Sequence, residues 1–95
     1  MTTLHIEITV SDYEAWKAGF DRFADFRRLG GVRHHRVLRQ RDDAGRVVID
    51  LDFDTAEDAE RFHDDVRTRV WSSPDNIQGL IGPPRAVVLE TVEAD

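Results

Sequence analysis

Ninety-five residues make one small domain, and 19 acidic side chains against 13 basic ones give a formal charge of -6 at pH 7, which argues against a duplex nucleic acid partner. A hydrophobic content of 40 %, with five Phe, two Trp and one Tyr, is too high for a disordered chain, and the longest apolar run, Ala86 to Leu89, is too short to cross a bilayer. Without cysteine there is no disulfide or thiolate chemistry, and Met-Thr-Thr-Leu-His-Ile lacks the basic stretch and apolar core of a leader, so a cytoplasmic address with neither membrane nor nucleic acid partner is expected. A domain of this size buries only about two-thirds of its unfolded surface, which favours association with a second copy.

Leu4, Ile6, Ile8 and Val10 alternate with His5, Glu7 and Thr9, predicting a first strand with one core face and one polar face. Ser11-Asp12-Tyr13-Glu14 reads as a capping box with Ser11 as the cap. A single helix over about 12–29 follows, with Tyr13, Trp16, Phe20 and Phe23 on one stripe, Phe26 at its flank and Gly30-Gly31 as the stop. Residues 32 to 41 and the β-branched run from Val47 form a hairpin around Asp42 to Gly45. A four-residue turn would pair His35 with Asp52, and a five-residue loop would pair Arg36 with it. In the third strand Val47, Ile49, Leu51 and Phe53 point inward.

Asp54 or Thr55 caps a second helix over about 55–70, on which Ala56, Ala59, His63, Val66 and Val70 share one face. Ser72-Ser73-Pro74 ends it, an irregular stretch follows, and Gly82-Pro83-Pro84 leads into a last strand over 85–92. The order β-α-β-β-α-β specifies an α+β, ferredoxin-like domain, with two helices on one face of a four-stranded antiparallel sheet. The other sheet face, carrying His5, Glu7, Thr9, Asp50 and Asp52, is left for solvent or for a second copy.

The runs Asp12-Tyr13-Glu14-Ala15-Trp16-Lys17, Arg27 to Val37, Val48 to Asp54 and Gly82-Pro83-Pro84-Arg85 resemble small actinobacterial-type proteins of the dimeric α+β barrel superfamily. That superfamily includes antibiotic biosynthesis monooxygenase-like domains, polyketide cyclases, haem-degrading enzymes and stress-responsive barrels. The resemblance implies a homodimer with its two sheets face to face. It also implies a small apolar or aromatic ligand held between sheet and helices, either bound only or bound and converted without a cofactor. The catalytic branches commonly place an Asn and a Trp in that pocket; here the single Asn is Asn76, after the second helix, and the two Trp are Trp16 and Trp71.

His63 is the expected catalytic residue, because an imidazole in the middle of an apolar stripe must find a partner or lose about 1–3 kcal/mol of hydrogen bonding. Trp16, Phe20, Phe23 and Trp71 are the expected ligand-binding residues. A non-catalytic dimeric barrel, in which His63 is a packed core residue, is the alternative, and haem ligation by His63 is a weaker third reading. His5, Glu7, Asp50 and Asp52 supply ligand types for a cation but no tight metal motif, so no metal site is expected. Arg27, Arg28, Arg33, Arg36, Arg39 and Arg41 fall in fifteen residues without an acid, against an acid-rich second helix, and are expected to form ion pairs between elements or subunits.

Overall fold

The computed structural model describes residues 1–95. The elements are β1 (Thr2–Thr9), α1 (Tyr13–Arg22), α2 (Ala24–Leu29), β2 (His34–Gln40), β3 (Asp43–Phe53), α3 (Ala56–Arg69) and β4 (Arg85–Glu90), with a 3-10 turn at Pro74–Asn76. The strands form one antiparallel sheet in the order β2-β3-β1-β4, the ferredoxin-like arrangement with β1 and β3 at its centre. The alternation of the two central strands becomes the floor of the core: Leu4, Ile6, Ile8 and Val10 face the helices together with Val47, Ile49, Leu51 and Phe53, and all eight are buried. Burying each such side chain contributes about 1.5–3 kcal/mol.

Several sequence expectations are corrected. The helix expected over 12–29 is broken at Phe23, whose φ of -98° and ψ of 19° interrupt the spiral. The cause is local: the Phe20 carbonyl accepts from the Phe23 N–H at 3.2 Å and from Arg27 Nη1 at 2.6 Å, so the regular ladder is not continued across it. The cap is Asp12 rather than Ser11, with its carboxylate accepting from the Ala15 N–H at 3.1 Å, while the Ser11 hydroxyl donates to the Gly79 carbonyl. Thr55 caps α3 by accepting from the Asp58 N–H at 3.1 Å, as one of the two expected residues.

The hairpin follows neither expected register. His34 pairs with Asp52, because a tight turn at Arg41-Asp42 is followed by a bulge that carries the pairing from Gln40↔Asp43 to Arg39↔Val47. His34, Arg36 and Leu38 therefore share the outer face with Asp52, Asp50 and Val48. The last strand ends at Glu90, two residues short of the expectation.

The largest correction lies on α3. Its buried residues are Ala59, Phe62 and Val66, so the stripe runs through Phe62 and not through His63. Phe62 is 3 % exposed, with its ring 5.5 Å from that of Phe53 and 5.4 Å from that of Phe26. A ring in that place requires Gly30 opposite it, since a Cβ on Gly30 would lie 2.5 Å from Phe62 Cδ1. Gly31, at φ +98°, makes the left-handed turn that ends α2.

Candidate functional site

Between the sheet and the helices lies a cavity of about 70 Å³. Ile6, Ile8, Ile49 and Leu51 form its floor, the aromatic face of α1 and α2 one wall, Phe62, Val66 and Val70 another, and the segment from Trp71 to Leu80 closes it. Trp16, Phe20, Phe23 and Trp71 all line it. The aromatic residues stack along the wall, with 5.8 Å between the Tyr13 and Trp16 rings and 5.2 Å between those of Trp16 and Phe20. Every lining residue except Gly19, Arg27 and Asn76 is hydrophobic.

His63 does not line this cavity. It sits half-buried on the flank of α3 with its ring 6.1 Å from that of Trp71, edge to face, so it reaches the pocket only through that indole. The central position expected for the imidazole belongs to Phe62, and the haem reading loses its geometric basis with it.

Sequence reasoning missed Arg27. Its side chain is 8 % exposed, its guanidinium carbon lies 3.6 Å above the centre of the Phe20 ring, and it has no carboxylate partner. Burial pulls its pKa below the ordinary arginine value, with the charge of Asp21 partly opposing. A signal was present in the sequence: Phe20, Phe23 and Arg27 continue the helical spacing of 3 and 4, which puts the cation on the aromatic stripe itself. Of the other arginines, Arg33 makes a two-pronged contact to Asp54 at 3.0 and 2.7 Å, and Arg36 pairs with Asp50 at 3.0 Å. The acids of α3 are not their partners, since Asp58 and Asp64 pair with Arg61 and Arg67 on their own helix.

On the outer face of the sheet the polar residues form a network. His5 Nδ1 lies 2.7 Å from Asp50 Oδ1 and His5 Nε2 3.2 Å from Glu7 Oε2, while Thr3 donates to Asp52 at 2.6 Å. Burial disfavours charge on His5, but the hydrogen bonds to Asp50 and Glu7 and their negative charges outweigh it, so its pKa is raised. The carboxylates serve the His5 ring and Arg36, an arrangement of hydrogen bonds and an ion pair. Around it Leu38, Val87 and Leu89 are 45 %, 49 % and 45 % exposed, and the registers put all three on this same face.

No protein-family model and no curated protein matches the sequence. Solved structures do. The chain is similar to SnoaB, a cofactor-independent oxygenase from Streptomyces nogalater, with a TM-score of 0.76 at 18 % identity over 98 % of this chain and 94 % of that one. It is similar to the monooxygenase from the gene ActVA-Orf6 of Streptomyces coelicolor in complex with Nanaomycin D, with a TM-score of 0.73 at 15 % identity over 99 % and 89 %. A dimeric ferredoxin-like protein from an uncultured marine organism gives 0.67 at 6 % identity over 100 % and 98 %. Another structure of this fold is described as an antibiotic biosynthesis monooxygenase. At these identities the likeness establishes the fold, the same one that the residue runs in the sequence resemble.

Proposed function

We propose that the protein binds an apolar or aromatic small molecule in the cavity between sheet and helices and acts on it as a cofactor-independent oxygenase of the monooxygenase type, working as a homodimer. The observation that carries this reading is the wall itself: Trp16, Phe20, Phe23 and Trp71 present flat apolar surface beside two polar residues, Arg27 and Asn76, the composition of a site that orients a ring by one or two of its oxygens. SnoaB and the ActVA-Orf6 protein, described as oxygenases, share the fold and lend support. His63 buttresses Trp71 in this reading and does not touch the ligand.

The cavity must widen to work. Its volume of about 70 Å³ is below the ~150 Å³ that accepts benzene. The wall best able to yield is the stretch from Trp71 to Leu80, whose only regular structure is the turn at Pro74–Asn76. Hydrogen bonds from Ser11 to the Gly79 carbonyl and from the Ile81 N–H to the Thr9 carbonyl tie it to the end of β1. The same small volume is what a non-catalytic dimeric barrel would show, and the experiment separates the two.

The dimer follows from the outer sheet face, where three exposed aliphatic side chains frame the network of His5, Asp50 and Arg36. Covering such a face with a symmetric copy removes it from water. The dimeric relative supports this arrangement.

Both tryptophans line the cavity, so intrinsic fluorescence reports its occupancy. Titration with 1-naphthol should quench it saturably, and exposure of the complex to dioxygen should convert 1-naphthol to 1,4-naphthoquinone and water. Quenching without conversion would leave a binding protein, and absence of saturable quenching would overturn the pocket reading.

A further inference from the structure

Arg27 is a cation more than nine-tenths buried in an apolar wall, with no carboxylate in ion-pair contact and only the more distant charge of Asp21 to offset it. Removing a charge from water costs several kcal/mol unless a partner compensates. Inside the protein it has two: the Phe20 ring beneath it and the Phe20 carbonyl, which takes one N–H of Nη1. The fork has five donors, and Nε and Nη2 make no hydrogen bond within the chain. No fully enclosed polar side-chain atom lacks a partner, so these donors border open space, and Arg27 lines the cavity.

Capping the broken end of α1 does not account for this arrangement. One N–H satisfies the Phe20 carbonyl, a task that an exposed lysine performs without burying a charge. The rigid guanidinium fork suits two parallel bonds to an oxyanion, and its stacking on Phe20 fixes the plane in which such an anion must lie.

Resting on the proposed pocket, we infer that its ligand carries an anionic oxygen on a planar ring system, a carboxylate or an ionised phenol, and that Arg27 binds this oxygen. The ring lies among Trp16, Phe20 and Trp71 and the anion completes the fork. Asn76 is the other polar residue of the wall. Substrate selection then depends on an acidic oxygen as well as on ring shape, in a protein whose formal net charge is -6.

The test uses tryptophan quenching by three probes with one ring system: 1-naphthoate, 1-naphthol and the neutral 1-naphthalenemethanol. Wild type should bind 1-naphthoate about tenfold or more tightly than 1-naphthalenemethanol, the scale of a hydrogen bond to a charged group. Arg27→Met should reduce that preference to within about twofold while keeping affinity for the neutral probe, and Arg27→Lys should keep part of it. If the carboxylate is the preferred anion, 1-naphthol stays weak at neutral pH; if ionised phenol is, its affinity climbs as pH rises through phenol ionisation. A wild type that binds neither 1-naphthoate nor ionised 1-naphthol better than 1-naphthalenemethanol overturns the inference even if Arg27→Met fails to fold, and leaves the pocket standing. An undiminished preference in Arg27→Met overturns it too. Failure of all three probes to quench overturns the pocket itself.

Discussion

Gly30→Ala places one methyl group against the ring that organises the core. The added Cβ would lie 2.5 Å from Phe62 Cδ1, 2.9 Å from Cε1 and 3.1 Å from the Phe26 carbonyl, all inside ordinary contact of 3.4–4 Å. The ring cannot turn aside freely, since Phe62 is 3 % exposed between Phe26 and Phe53. Such overpacking costs about 1–3 kcal/mol. The backbone itself does not object, because φ is -81° at Gly30, and replacing glycine by alanine returns about 0.4–1 kcal/mol through the unfolded chain. The balance is a loss of about 1–2 kcal/mol, or roughly 5–15 °C in Tm for a domain of this size. Urea melts followed by tryptophan fluorescence measure it, and Phe62→Leu supplies the control: in that background the clash is relieved and Gly30→Ala should cost less than half as much. Gly30→Ala at or above wild-type stability would refute the packing described for Phe62.

His63→Leu should change stability by less than about 1 kcal/mol and leave probe quenching intact, because the imidazole meets Trp71 from outside the cavity; thermal melts with and without 1-naphthol check both. Gly79→Ala, where φ is +86° and the new Cβ would lie 2.6 Å from the Asp12 carbonyl, should cost about 2 kcal/mol or more in urea melts. His5 has a raised folded pKa, so its contribution is complete below the unfolded value of about 6.5 and is lost as pH rises through the folded value. The stability advantage of wild type over His5→Gln should therefore shrink from pH 5.5 to 8.5, as read from urea midpoints; an advantage that grows would contradict the network.

Period-two alternation made β1 and β3 legible, since a central strand covered on one face leaves the same mark in sequence as in burial. The aromatic stripe of the first helical region was equally legible, and with it three lining residues of the cavity, Trp16, Phe20 and Phe23. What stayed hidden depended on choices that several residues could satisfy. Asp12 and Ser11 are both good caps, and backbone geometry decides between them. His63 and Phe62 are neighbours, and the 100° between them exchanges a candidate catalytic group for a packed ring; reading Ala59, Phe62, Val66 and Val70 together would have found the stripe. The bulge after the hairpin turn has no strong local signal, so the register could not be fixed. Arg27 stood among six arginines in one run, and only its position on the Phe20 and Phe23 stripe separates it from those that meet solvent.

In the proposed function a ring compound occupies the cavity behind Trp16 and Trp71. The most direct measurement is the proton–nitrogen NMR spectrum of uniformly labelled protein during titration with 1-naphthoate, observing the two indole N–H signals and the Arg27 Nε–H. All three should shift together and saturate at one ligand per chain, while the backbone amides of His5 and Leu38 on the outer sheet face stay in place. Shifts confined to the outer face, or none at the indoles at saturating ligand, would contradict the account.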